Sequence, residues 1–470
     1  MVFGGAFLGD CDIAVLNVAA ERLRRIIGGE WVISERELIE SYLYDETPTP
    51  IRPKPAEHLI LVKPASTGEV SAILRIANEY GIPVFPVGGR TGLAGGCIPT
   101  MSGIVLSLER MNKIEVDEKN LMAVAEAGAT LRDLIRAAES AGLFFPPHPG
   151  DEGAQIGGLI ATNAGGVRAV KYGVMRNYVK GLEVVLPTGE ILTVGGKLLK
   201  NNTGYDLMHL FIGSEGTLCI ITKAMIKLLP KSQYMVTLIA PFVSRSDALK
   251  AVPGMLKSGI IPLAIEYVQL REIMRAAEHL GERWPIEKGF AQLIIILDGT
   301  RWEEVFSGCE EVARICELYN AIDVLVADSP REQNRILRIR SNMYTALKHD
   351  VVDILDVTVP PAYLGDLMNA LDEIAAKYGV YLPAYGHAGD GNLHIHIMKD
   401  VGSMDLAEEI RRDIYMAALK LGGVITGEHG IGKIRAKSLS LALSEKYIEL
   451  MRSVKRIFDP NNILNPREYL

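Results

Sequence analysis

Between residues 16 and 45 apolar positions recur at helical spacing. Leu16, Leu23, Ile26 and Ile27 share one side, and Gly28-Gly29 is a stop within the run. A proline-rich passage spans 47–64. Ser66, Thr67, Gly68 and Glu69 have capping-box spacing, and the helix they open carries Val70, Ile73, Leu74 and Ala77 until Gly81 ends it. The short run 82–87 then enters a glycine-rich loop, a helix–strand–loop order that belongs to α/β layering. Strands are predicted at 103–108 and 121–125, a helix from Thr130 to Gly142, and a hairpin from 181–186 and 190–194 about Pro187-Thr188-Gly189. Residues 144–173 are rich in Gly, Pro and Ala, have little periodicity and carry little charge, which predicts a functional loop region.

After Pro230 the texture changes. Helical patterns at 302–319, 331–349, 362–378 and 404–421 alternate with strand-like runs at 292–297, 321–327, 353–359 and 393–398. That predicts a second α/β or α+β unit with helices covering a sheet. The irregular tail 458–466 must be pinned to something to stay ordered.

Composition narrows the classes. At roughly 150 residues per domain, two to four domains are expected from 470 residues. A hydrophobic content of 48% supplies cores and excludes general disorder, and a net charge of −7 argues against a nucleic-acid partner. The five cysteines (Cys11, Cys97, Cys219, Cys309, Cys316) are scattered and contain no CxxC pair. A disulfide framework is therefore not expected, and Cys309 and Cys316 read as core thiols. No apolar stretch is long enough to span a membrane, and the N-terminus lacks a basic region followed by an apolar one. The expected location is the cytoplasm, with any membrane association made through a partner.

The chemistry concentrates in a few stretches. Pro86, Val87, Gly88, Gly89, Arg90, Thr91 and Gly92 open a loop that continues to Gly96, with glycines enough for backbone N–H groups to approach an anion. It is neither GxGxxG nor a Walker A loop, and a plain surface loop is its alternative. Small residues recur around Gly157, Gly158 and Asn163 and again at Gly213-Ser214-Glu215-Gly216-Thr217, which suits a large flat ligand against the main chain. Four of the nine histidines fall in residues 385–396 and 427–432. On a strand His394 and His396 share a face, and His387 before a glycine turn can fold back onto it. Two imidazoles with Glu428 suit a divalent metal with open positions; a polar strand edge is the alternative. Gly427 to Lys433 nearly matches a phosphate loop, but Ile434 replaces the required hydroxyl and Glu428 would repel a phosphate.

The stretches PVGGRTGLAGG, AQIGGLIATNAGGVRAVKYGV, GYDLMHLFIGSEGTLCIITKA, GHAGDGNLHIHI, GEHGIG and FDPNNILNP together resemble the FAD-linked D-2-hydroxy-acid dehydrogenases. These include bacterial D-lactate dehydrogenases, the glycolate oxidase FAD subunit and D-2-hydroxyglutarate dehydrogenase. The resemblance runs from about residue 45 to the end. It implies an α+β protein: an FAD-binding domain of the vanillyl-alcohol-oxidase type (1–230), an α/β substrate-cap domain (231–430), and a segment returning to the flavin (431–470). By position, Gly88 to Gly92 would bind the FAD diphosphate, and Pro86, Gly157, Gly158, Asn163, Glu215 and Gly216 would complete the cofactor site. His387, His394 and Glu428 would hold a divalent metal, zinc by expectation. His429 would be the base, and Arg340 would pair with the substrate carboxylate.

Thr91 stands where some relatives carry a flavin-linking histidine, so FAD is expected to be non-covalent, with His148 the alternative attachment point. Tyr344 and Ile354 stand where the hydroxyglutarate enzymes have polar help, which favours a small acid such as D-lactate. Lys348 or His349 could still serve a second carboxylate. The implied reaction moves the Cα hydride of a D-2-hydroxy acid to flavin N5 and passes electrons to electron-transferring flavoprotein or a quinone, in a homodimer or a larger complex. The alternatives are D-2-hydroxyglutarate or glycolate as substrate, a metal-free alcohol oxidase, and a non-catalytic electron-relay subunit.

Overall fold

A computed structural model describes residues 11–467. The first helix is Ile13–Ile27, closed by Gly28 at φ 96°, and it does not continue to residue 45. A 3₁₀ turn, the strand Val32–Ile33 and the short helix Arg36–Ile39 take up the rest of that run. Helix Thr67–Tyr80 follows the expected signals: Ser66 Oγ accepts the Glu69 N–H and Gly81 adopts φ 64°.

Two sheets build the first half. One has the order Val32–Ile33, Leu59–Val62, Gly103–Ser107, Val84–Val87, with the last three strands parallel. The other is antiparallel, in the order Ile114–Asp117, Met122–Glu126, Ile220–Lys227, Val179–Val185, Ile191–Gly195. Its last pair is the expected hairpin. One core unites both sheets, and it includes Ile463 and Leu464 from the far end of the chain. Val84 donates to Ile463 O (2.8 Å) and accepts from Asn465 N–H (2.8 Å), so the tail is pinned to the strand that feeds the glycine loop.

The second half is a seven-stranded antiparallel sheet. Its order is Leu325–Ala327, Tyr234–Phe242, Ala291–Gly299, Ala264–Gln269, Ala384–His387, Asn392–Met398, Val351–Thr358. Helices Arg245–Lys257, Trp302–Leu318, Leu364–Tyr378 and Met404–Lys420 cover one face, with Cys309 and Cys316 in that core. The other face carries Leu270–His279 and a broken helix. The expected helix 331–349 divides into Pro330–Ser341 and Met343–Leu347. Asn342 Nδ2 bonds back to Arg338 O (2.9 Å), the local competition that makes asparagine a poor interior residue. The expected strand 321–327 shrinks to Leu325–Ala327, because Asn320 turns the chain at φ 65°.

Candidate functional site

The parallel strand Val84–Val87 ends at a cavity lined by Pro86 and Gly88 to Gly92 on one side and by Gly157, Gly158, Glu215 and Gly216 on others. His429, Asn465 and Arg467 also line it. A Cβ at Gly89 would lie 2.5 Å from Gly153 O, so only glycine permits this approach of two main chains. A narrow cleft walled by backbone suits the phosphates and flat ring of FAD.

Two residues expected at the cofactor do other work. Asn163 lies outside the lining; at φ 50° its Oδ1 accepts the Arg176 N–H. Glu215 borders the cavity but is a clasp. Its oxygens accept Ile431 N–H and Gly432 N–H (both 2.9 Å), and Arg467 Nη1 lies 2.6 Å away. Burial pushes that carboxyl up, yet Arg467 and the two amides hold it below the usual range. Arg90 turns its guanidinium over the Tyr42 ring (4.7 Å). His148 contacts Glu152 (3.5 Å) and is absent from the cavity wall.

The other histidines meet beside His429. The ladder sets Tyr385 against His394 and His387 against Asn392. His394 Nε2 and His387 Nε2 approach the same oxygen, Glu428 Oε1, at 3.2 and 3.4 Å. Ligands around zinc at 2.0–2.2 Å stand roughly 3.3–3.6 Å apart, close to the spacing of each of these two pairs. His387 Nδ1 lies 2.6 Å from Glu266 Oε1, which fixes the ring and leaves Nε2 free to coordinate. Burial lowers the His387 pKa, but Glu266 and Glu428 outweigh it and raise it well above the ordinary value. His396, on the same strand face, is fully buried, and burial pushes it down to about 3.

A second grouping, Asp356, His394, Glu428 and His429, brings its ligand atoms within 4.8 Å of one another. Asp356 is committed elsewhere. Its Oδ2 accepts from Thr426 Oγ1 and from the N–H groups of Gly427, Glu428 and His429, at 2.8–2.9 Å, and Oδ1 accepts from Asn392 Nδ2 (2.7 Å). It moulds the loop that presents Glu428 and His429. Burial lowers the His429 pKa and Asp356 only partly restores it, so the imidazole is neutral at pH 7 and able to accept a proton.

Arg340 reaches the cluster from Pro330–Ser341. Its Nη2 lies 2.5 Å from Glu266 Oε2 and its guanidinium 5.0 Å from the Tyr385 ring centre. Nη2 is thus held by Glu266, while Nε is buried without a hydrogen-bond partner and remains a donor to spend. Tyr344 donates to Glu46 O (3.3 Å), Lys348 pairs with the Glu46 carboxylate, and Ile354 is buried opposite His396. His349 is exposed.

Sequence reasoning missed Glu266 and Asp356. Each is a carboxylate in a mostly apolar strand, AIEYVQ and VVDILDVT (which also holds Asp353), and that contradiction was the available signal.

Two sheets around a backbone-walled cleft, joined to a seven-stranded sheet, make a fold of the vanillyl-alcohol-oxidase type. Solved structures share that fold: p-cresol methylhydroxylase (TM-score 0.77, 17% identity, 97% of each chain) and 4-ethylphenol oxidase from Gulosibacter chungangensis (0.76, 20%, 97% of each). Residues 231–469 match the family "FAD linked oxidases, C-terminal domain" and residues 59–195 match "FAD binding domain". The chain belongs to the FAD-linked oxidases. It is 47% identical over 427 residues to a D-lactate dehydrogenase of Archaeoglobus fulgidus, covering 91% of this chain and 95% of that one. It is 39% identical over 432 residues to the glycolate oxidase subunit GlcD of Bacillus subtilis, covering 90% and 91%.

Proposed function

We propose that the chain oxidises a D-2-hydroxy acid, D-lactate best, to the 2-oxo acid, with non-covalent FAD and a divalent metal, zinc by first expectation. The observation that carries this reading is the position of His429, which borders the FAD cavity and abuts the His387–His394–Glu428 cluster. FAD supplies a hydride acceptor, and the metal a positive charge that favours ionisation of the substrate hydroxyl.

The chain's own residues do the rest. His387, with Glu266 behind it, His394 and Glu428 hold the ion. Arg340, held through Nη2 by Glu266, offers its unspent Nε donor to the substrate carboxylate and so orients the Cα–H bond. Neutral His429 takes the hydroxyl proton at its ring nitrogen while its main chain is pinned by Asp356. Thr91 in the cavity wall offers no ring to link to FAD. Electrons then leave to a protein or quinone acceptor.

Substrate size follows from the wall near Arg340. Tyr344 and Lys348 are both spent on Glu46, and Ile354 is apolar, so none of these three offers a free cation to a second carboxylate. Anaerobic reduction of the bound flavin by D-lactate and by D-2-hydroxyglutarate, followed by absorbance, tests both levels. D-lactate is expected to reduce faster, and His429→Asn to slow reduction about 10²–10⁴-fold. No bleaching by any 2-hydroxy acid would leave the electron-relay reading standing.

A further inference from the structure

Lys433 follows the turn at Gly432 (φ 53°) and has no part in holding substrate or metal. Its N–H donates to Ala94 O (2.9 Å), and its Nζ donates to Gly96 O (3.0 Å) and to Asn465 Oδ1 (2.9 Å). It thus ties the glycine loop to the returning tail. Among the described residues no carboxylate lies within ion-pair distance of this partly buried ammonium, whereas Lys455 has Asp459 and Arg467 has Glu215. Gly96 and Asn465 both line the FAD cavity, so the ammonium stands one hydrogen bond behind its wall. It belongs to the same stretch of wall as His429, because Glu215 binds Ile431 and Gly432 while lining that same cavity. A base at His429 requires the hydride-accepting part of the cofactor beside that stretch.

We propose that Lys433 is the counter-cation of the reduced flavin, a residue that acts through the cavity wall to set the cofactor's reduction potential. Oxidation of the substrate sends a hydride, two electrons with one proton, to the cofactor, and the hydroxyl proton goes to His429. The cofactor gains one negative charge, which the ammonium offsets; when Lys433 begins neutral, its proton comes from solvent.

The groups facing Lys433 are the Cys97 thiol, the Asp45 carboxyl and the Glu215–Arg467 pair, with the Phe85 ring 5.4 Å away. Burial foremost, then Arg467, holds the ammonium down to about 7. A negative charge on the cofactor raises it, so near neutral pH reduction takes up one proton more than at high pH.

The proposal rests on this cavity being the FAD site and needs no hydroxy acid to test. The holoenzyme is titrated with redox dyes from pH 5.5 to 9.5, so an error about substrate leaves the result readable. The wild-type potential is expected to fall about twice as steeply around neutrality as at high pH. Lys433→Met should lose the steep segment, and at pH 6 its reduction should be at least tenfold less favoured, about 30 mV for a two-electron couple. Lys433→Arg, charged at every pH, should keep the pH 6 potential and lose the steep segment. A Met or Arg variant that retains the steep segment places the extra proton on the flavin itself and overturns the proposal. So does a wild-type slope that is uniform throughout. If the Met variant loads no FAD, the wild-type and Arg titrations decide alone.

Discussion

Glu266 carries two tasks through its two oxygens. Oε1 holds the His387 ring and Oε2 faces Arg340, so one buried carboxylate sets both a proposed metal ligand and the proposed carboxylate receptor. Coulombic attraction from Arg340 and His387 outweighs the burial that would raise its pKa, and the group stays ionised. Glu266→Gln preserves size and removes the charge. It is expected to weaken metal retention by about 10–100-fold, the usual cost of losing a partner that orients a ligand. Metal content after dialysis at a fixed free zinc concentration checks this, alongside the flavin spectrum, which should not change. Full metal retention would show that His387 is oriented by something else. The histidines of this cluster are legible in the sequence because they crowd into two short motifs. Glu266 is 121 residues from His387 and reaches it only through strand pairing.

Among elements, the strand Val351–Thr358 ties the sheet of the second half to a covering helix and to the loop beyond it. Asp353, fully buried, accepts from Arg411 on helix Met404–Lys420 and from both Nη groups of Arg435, which also reaches Ile354 O. Burial pushes the Asp353 carboxyl up, but Arg435 and Arg411 pull it below the ordinary range. A carboxyl with a lower pKa folded than unfolded adds stability that is full above its ordinary value of about 3.9 and fades as pH falls towards the folded value. Asp353→Asn should therefore cost about 3–5 kcal/mol near pH 7, because two buried guanidiniums lose their partner. The cost should shrink below about pH 4, and denaturant melts at pH 7 and at pH 3.5 measure the difference. Periodicity located this strand and its helices well. It missed the break inside 331–349 and the late start of 321–327, where single asparagines turn the chain by a local bond or a positive φ that a hydrophobic pattern does not register.

Across the whole molecule the two halves meet through apolar packing, with Val167 and Tyr172 against Leu263 and Ile296, and through specific polar contacts. Glu46 donates its N–H to Gly92 O in the glycine loop, takes Tyr344 on its carbonyl and pairs with Lys348, while Lys171 pairs with Asp298 (2.5 Å). The tail closes the circuit: Ile463 and Leu464 are fully buried in the first core, and Asn465 and Arg467 border the cavity. Removing residues 460–470 exposes that core at a cost of about 1.5–3 kcal/mol for each large apolar side chain lost. The truncated chain is expected to lose FAD on gel filtration while the cap sheet still melts cooperatively. A truncated chain that keeps stoichiometric FAD would show that the tail does not support the cofactor.

Capping residues, the glycine loop, the hairpin turn and the alternation of His394 and His396 are determined by the sequence alone, since each depends on residues within a few positions of one another. The site is a different matter. Glu215 clasps residues 431 and 432, Asp356 gathers the loop 426–429, and Glu266 joins His387 to Arg340, all across separations of 70 residues or more. Those partnerships exist because buried carboxylates need donors. Only the packing of distant strands decides which donors come within reach.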